Sequence, residues 1–356
     1  MRELLPQLTR WHADRRSMAL ATVVQTWGSA PRRIGSNMVI TDHGEVAGSV
    51  SGGCVENAVV ESALDAINTD RAQLLHFDVS DASAWRVGLA CGGSIDIFVR
   101  PLGSAVFNSL RDAWLDGRTT ISATLIRGPQ ERVGEQILIR NAALVDGQLD
   151  QEWKRSALAL ASEAVIQGTS RCVRLSQSEE VFLEVIAPPP TLIAVGGVHI
   201  AVALLSLAKM LDYRTVMIDP RQAWGNAQRF PDVDELMRSW PDDALRQVPL
   251  DRSSAVVTLT HDPKLDDPAL KVALTSPAFY VGALGSKSTQ LARRERLLGA
   301  GLAPSQLDRL HAPVGLDIGA QTPEEIALAI MAQIVQSYRK SRSVQAAAGM
   351  AVPASV

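Results

Sequence analysis

Three consecutive prolines, Pro188 to Pro190, divide the 356-residue chain into two stretches of different pattern. Successive prolines lack backbone donors and hold the chain extended, so neither a helix nor a central strand runs through them. After them, β-branched runs alternate with helical ones: TLIAVGG, a helix over about 200–211, RTVMIDP, SAVVTLT, a helix over 266–275, AFYVGALG and a helix over 288–300. Strands alternating with helices imply a parallel sheet covered on both faces, and right-handed crossovers make it doubly wound. Before the prolines come short runs separated by turns, SMALATVVQT, NMVITDHGEVAGSVSGG, QLLHFDV, SIDIFVRPL, TTISATLIRG and EQILIR, with few helices between them. The fold class is therefore α/β: an N-terminal mixed α+β domain over 1–186, a Pro-rich linker over 187–190 and a Rossmann-like doubly wound parallel sheet over 191–340. A last amphipathic helix begins at TPEE, where Thr322 is placed to cap and Glu324 and Glu325 suit the dipole; the alanine-rich residues 341–356 read as a flexible tail.

Charge narrows the partners. Lys plus Arg number 35 against 38 Asp plus Glu, so neither nucleic acid nor an anionic membrane surface is expected. The opening MRELLPQLTRWHADRR has no apolar core of a secretory signal, which predicts a cytoplasmic protein. Cys54, Cys91 and Cys172 are an odd number without a CxxC pair, which suits neither a disulfide framework nor a zinc ribbon. The stretch 192–211 is long enough to cross a bilayer, but Gly196 and Gly197 interrupt it and a strand, turn and helix account for it better.

Two groups of residues carry chemistry. In SVSGGCVENAVVE (49–61), Gly52 and Gly53 turn the backbone ahead of a helix with apolar residues at Val55, Val59, Leu64 and Ile67. Cys54 therefore stands at a helix N-terminus, where unpaired amides and the macrodipole favour a thiolate, the better nucleophile and soft-metal ligand. The alternative is a small core residue. Cys91 in LACGGSID repeats the glycine-flanked pattern ahead of a strand, and Arg32 and Arg33 in TWGSAPRRIGS are able to grip phosphate or carboxylate, or simply to face water.

In the second half a strand, glycine turn, helix and second strand end at Asp219, 23 residues after Gly196. That is the spacing of a dinucleotide fold, in which the acid accepts ribose hydroxyls and the pyrophosphate rests on the helix N-terminus. The turn reads GGVHIA, with His199 opening the helix and Val198 where the middle glycine belongs, so the valine is expected to crowd an NAD(P) pyrophosphate. The strand ends THDP and GALGSK bring His261, Asp262, Gly285, Ser286 and Lys287 to the carboxyl edge, an oxyanion cradle without Walker spacing. HAPVGLDIGA adds His311 and Asp317. A purely structural sheet and a bound nucleotide both fit these residues.

Taken together, GSAPRRIGSNMVIT, GEVAGSVSGGCVE and GLACGGSIDIFVRPL, followed by TLIAVGGVHIA, VMIDPR, THDP, YVGALGSK and HAPVGLDIGAQTPEEIA, resemble the xanthine dehydrogenase accessory factor family (XdhC/CoxI) from about Ala21 to Ile334. The resemblance implies an accessory chaperone rather than an enzyme. Such a protein binds the molybdenum cofactor as cargo, protects it while a cysteine desulfurase exchanges an oxo ligand for sulfur, and helps insert it into a molybdenum hydroxylase client of xanthine dehydrogenase or CO dehydrogenase type. In that setting Cys54 ligates or shelters the molybdenum with Cys91 close by, and Lys287, Ser286 or Arg32 holds the pterin phosphate. The family's usual turn GAGHVA stands here as GGVHIA, which argues further against NAD(P). The competing readings are an NAD(P)-dependent oxidoreductase built on Asp219 and a thiol sulfurtransferase carrying a persulfide on Cys54. A homodimer is the expected assembly.

Overall fold

A computed structural model describes residues 4–28, 30, 32–78, 93–141, 143–147 and 151–350. Two compact units divide at Pro188/Pro189. In the first, strands β1 (Met18–Trp27), β2 (Asn37–Thr41), β3 (Val46–Gly48), helix α2 (Glu56–Thr69), β4 (Gln73–Phe77) and β5 (Ser94–Pro101) follow a short helix α1 (Leu5–Ala13). The strands make an antiparallel sheet in the order β3-β2-β1-β5-β4. Helix α3 (Ser104–Leu115) then leads to β6 (Thr120–Arg127), β7 (Gln136–Arg140), β8 (Ala143–Asp146), α4 (Gln151–Gln167), β9 (Arg171–Arg174) and β10 (Glu180–Ile186). Their sheet is also antiparallel, in the order β8-β7-β6-β10-β9.

The two sheets are one plan used twice: three strands, a helix, two strands, with the fifth returning beside the first. The match extends to single residues. Val23 exchanges backbone hydrogen bonds with Ser36 and Gly35 (2.9 and 2.8 Å), and Leu125 does the same with Glu135 and Gly134 (3.0 and 2.9 Å). Both glycines adopt positive φ, +83° and +100°, which an L side chain resists. Superposed on this geometry, RIGSNMVI (33–40) faces RVGEQILI (132–139). Helix α2 buries Val59, Ala63 and Ala66 against its sheet, and α4 places Ala157, Ala161 and Ala164 against the other at the same helical interval. Between the sheets lies a cluster drawn from both, including Val24, Leu74 and Phe98 with Ile126, Cys172 and Phe182. Contacts are reciprocal, as in an isologous interface: a Cβ on Gly35 would meet Ser170 of the second half, and one on Gly134 would meet Ala72 of the first. The sequence reading expected neither the repeat nor strands β8, β9 and β10.

In the second unit, β11 (Thr191–Val195), α5 (His199–Met210), β12 (Arg214–Ile218), β13 (Glu235–Met237), α6 (Pro241–Gln247), β14 (Ser254–Thr258), α7 (Pro263–Thr275), β15 (Tyr280–Ala283), α8 (Lys287–Gly299), α9 (Pro304–Leu307), β16 (Leu310–His311) and α10 (Pro323–Met350) succeed one another. The six strands are parallel in the order β13-β12-β11-β14-β15-β16, that of a doubly wound dinucleotide fold. Their near-continuous apolar runs fill clusters on both faces, one holding Ile193, Val216 and Val256 and the other Leu192, Met217 and Val257. The apolar stretch 192–211 is a strand, a turn and a helix, and among the described residues no helix is long and apolar enough to cross a membrane. Helix α10 runs on to Met350, past residue 341.

Candidate functional site

Antiparallel pairing brings three connections to one end of the first sheet. β1 ends at Trp27 beside Ser94, β4 ends at Phe77 beside Ile95, and β3 ends at Gly48 beside Met38, one residue into β2. The loop 28–36 with Arg32 and Arg33, both exposed, and the loop 49–55 with Gly52, Gly53 and Cys54 leave from this end. Cys91, in the connection between β4 and β5, lies outside the described residues.

Glu56, the first residue of α2, organises the cysteine loop by turning its carboxylate back into it. Oε1 accepts from the Ser51 and Gly52 amides (2.9 Å each) and the Ser49 hydroxyl (2.8 Å), while Oε2 accepts from the Gly53 amide (2.8 Å) and the Ser51 hydroxyl. The Ser51 oxygen in turn accepts from the Cys54 and Val55 amides, both at 3.0 Å. Burial alone would raise the Glu56 carboxyl, but the hydrogen bonds from Ser51 and Ser49 outweigh it and hold the pKa down at about 2. This corrects the expectation of free amides around the thiol. Every backbone N–H from Ser51 to Val55 already has an acceptor, and Glu56 puts a negative charge in the first turn of α2. Cys54 itself is half-buried, packed with Leu75 and Phe77 on the cluster beneath α2. Cys172 differs in kind: its Sγ donates to the Val24 carbonyl (3.3 Å), and burial, with Glu180 and Asp96 adding, pushes the thiol up to about 12.

At the carboxyl edge of the parallel sheet, Asp219 is fully buried. One carboxylate oxygen accepts from the Gly197 amide and Arg221 Nη2 (2.7 Å each), the other from Arg221 N and Nε (2.9 Å each). Burial raises this carboxyl and the Arg221 and Gly197 donors more than reverse it, so its pKa is lowered. Gly197 is required by the Trp224 backbone, whose carbonyl oxygen would stand 2.4 Å from a Cβ. Val198 is half-buried and packs on the apolar cluster beneath α5. Asp262 and Ser286 cap α7 and α8 by accepting from Lys264 N (2.9 Å) and Thr289 N (3.2 Å). Lys287 opens α8 after Gly285 (φ +141°), and His261 holds a left-handed φ of +63°. His311 stacks on Tyr280 (4.6 Å between ring centres) and burial lowers its pKa; His199 meets Glu324 at 3.6 Å; Asp317 is exposed. The edge thus collects these residues, several of them in structural work.

Residues 192–334 match the XdhC Rossmann domain, and residues 11–78 match the XdhC and CoxI family. The chain belongs to the XdhC and CoxI family. It is 28% identical over 332 residues to a protein of Bacillus subtilis (strain 168) described as a probable xanthine dehydrogenase subunit, covering 92% of this chain and 95% of that protein. It is 27% identical over 319 residues to the molybdenum cofactor insertion chaperone PaoD of Escherichia coli (strain K12), covering 88% and 81%. A crystal structure described as a xanthine dehydrogenase from Bacillus halodurans superposes with a TM-score of 0.77 at 26% identity, over 94% of this chain and 95% of that one.

In this XdhC-family chain the acid that a dinucleotide fold offers to ribose is already bonded to its own glycine turn and to Arg221. The XdhC and CoxI match includes the cysteine loop, where the backbone is fixed and a thiol stands half-exposed. Sequence reasoning missed the carboxylates and cations that build both places. Glu56 was legible only as part of the quoted motif. Arg221 was hidden in VMIDPR, and an imidazole–carboxylate pair at the loop end, His76 and Asp96, belongs to no motif.

Proposed function

We propose that the protein carries the molybdenum cofactor and delivers it to a molybdenum hydroxylase, with the metal end of the cargo at Cys54. The observation that carries this reading is the loop 49–55, whose amides are locked on Glu56 so that the Cys54 thiol is held in one place at the mouth of the sheet. Molybdenum accepts sulfur ligands, and a loop that is already ordered loses little entropy on binding. Arg32 and Arg33 at the same end suit an anionic phosphate. The relative named as a molybdenum cofactor insertion chaperone points the same way. The finer parts of the proposal are that the cargo is sheltered in sulfurated form, that a cysteine desulfurase supplies the sulfur, and that two copies act as a homodimer.

Purification from cells that make the cofactor and from cells that do not, followed by oxidation and fluorescence measurement of bound pterin, tests it. Pterin well above background only in the first preparation, with activation of an apo-hydroxylase on mixing, is the expected result. Background pterin in both preparations contradicts the proposal.

A further inference from the structure

The loop end of the first sheet carries a second set of side chains, an imidazole, a carboxylate and an indole. His76, on β4, places Nδ1 2.5 Å from Oδ1 of Asp96 on β5. Asp96 is almost fully buried while the His76 side chain is 51% exposed. A carboxylate only accepts hydrogen bonds, so Nδ1 carries the proton, and Nε2 is the other polar atom of this half-exposed ring. Arg127 Nη2 lies 4.0 Å from the other Asp96 oxygen and Arg127 Nε lies 3.2 Å from Glu180. Beside the imidazole stands Trp27, 43% exposed, its ring edge-on to His76 at 6.0 Å and 70°. The His76 contact satisfies a nearly buried carboxylate, whereas an open indole contributes less to stability than a buried one, so packing does not explain why Trp27 stands beside the pair.

The second half of the unit is an internal control. In the first half the acid of the fifth strand, Asp96, pairs in register with Gln25 and His76; in the second, Glu180 pairs in register with Arg127 and Arg174. The halves share their core and differ here, where only the first places an imidazole beside an exposed indole. An aromatic face next to a directed hydrogen-bond acceptor recognises a flat heterocycle that carries N–H groups on its edge. We propose that Trp27 and His76 hold the pterin ring of the cargo, Trp27 by stacking and His76 Nε2 by accepting from a ring N–H or amino group, with Asp96 orienting the imidazole. This rests on the cofactor-carrier reading and assigns the pterin end of that same site.

The test uses the full-length protein and free pterin as probe, followed by fluorescence anisotropy, with retained cofactor measured in parallel on protein from cofactor-producing cells. Loss of a stacked ring contact is worth roughly tenfold in affinity or more. Trp27→Ala and His76→Ala are expected to weaken pterin binding by about that factor, whereas Trp27→Phe and His76→Gln, which keep a face and an acceptor, stay close to wild type. Arg174→Ala, the matching position of the second half, is expected to change nothing. Thermal midpoints close to wild type are expected for Trp27→Ala, Trp27→Phe and Arg174→Ala; His76→Ala leaves the buried Asp96 without its imidazole and is expected to melt lower, so the two Trp27 variants and His76→Gln separate binding from stability. Pterin bound equally by wild type, Trp27→Ala and His76→Ala overturns the assignment, as does wild-type protein that retains cofactor yet ignores free pterin. Either result leaves the carrier reading standing; wild-type protein that neither retains cofactor nor binds pterin removes both.

Discussion

The first and second halves of the N-terminal unit have the same strand order, the same glycine at the bend after the first strand and the same helix packing, and the first half has a loop built around the Glu56 carboxylate. Where the first half runs from β3 into α2 through SVSGGCVE, the second runs from β8 into α4 through GQLDQ. Positions that face the shared cluster, such as Phe98 and Phe182, stayed alike because packing constrains them. Positions at the strand ends diverged: Cys54, Glu56, Trp27 and His76 have no counterparts of the same chemistry. The difference separates what a fold of this kind needs from what has been added to it, and it places the addition at one end of one sheet.

The largest expected effect comes from the two thiols. Cys54→Ser exchanges a soft ligand for a hard one of similar size, so retained pterin should fall at least about tenfold while the thermal midpoint stays within a few degrees of wild type. Cys172→Ser places a hydroxyl in the cluster between the sheets and should cost about 1–2 kcal/mol in denaturant unfolding without touching retention. A loss of retention in the second variant alone would reverse the roles assigned to the two halves.

Next comes Glu56→Gln, which keeps the shape but weakens the acceptor for three amides and two hydroxyls. We expect about 1 kcal/mol of lost stability and a retention defect smaller than that of Cys54→Ser. The folded-state pKa of Glu56 is depressed to about 2 from 4.5, so its contribution is full above pH 4.5 and is lost as pH falls through 2. Acid melting curves should therefore drop more steeply for wild type than for the glutamine variant over that window.

Smaller and matched effects are expected from the bends. Gly35→Ala and Gly134→Ala each force an alanine into positive φ, at about 1–2 kcal/mol apiece, with retention unchanged. Unequal costs would show that the repeat is less close in energy than in geometry. The smallest effect is outside the comparison: Asp262→Ala removes a helix cap in the second unit, worth about 1 kcal/mol, and should leave pterin binding alone.

The second unit was the more legible in the sequence, because buried parallel strands read as continuous apolar runs and their crossovers impose a regular interval. TLIAV, RTVMI and SAVVT announce themselves in this way. The repeat in the first unit was not legible: RIGSNMVI and RVGEQILI share a pattern that gains meaning only once Val23 and Leu125 are seen making the same two hydrogen bonds. Cys54 was found by its glycines, but the charge beside it was misjudged. A sequence shows that a helix has a positive end; it does not show that Glu56 folds back onto the amides of the loop before it. For the same reason Asp219 was read as an acceptor awaiting a ribose, although Arg221 lies only two residues further on. Side chains that bond to nearby backbone leave no periodic trace.

The most direct test of the account is site-resolved alkylation of the wild-type protein, with and without bound molybdenum cofactor, read by mass spectrometry at Cys54 and Cys172. The account predicts that Cys54 reacts with iodoacetamide in the cofactor-free protein and is strongly protected in the loaded one, while Cys172, half-buried, bonded to the Val24 carbonyl and with its thiol pushed up to about 12, reacts slowly in both. Equal labelling of Cys54 in the loaded and cofactor-free forms would contradict the placement of the cargo at this loop.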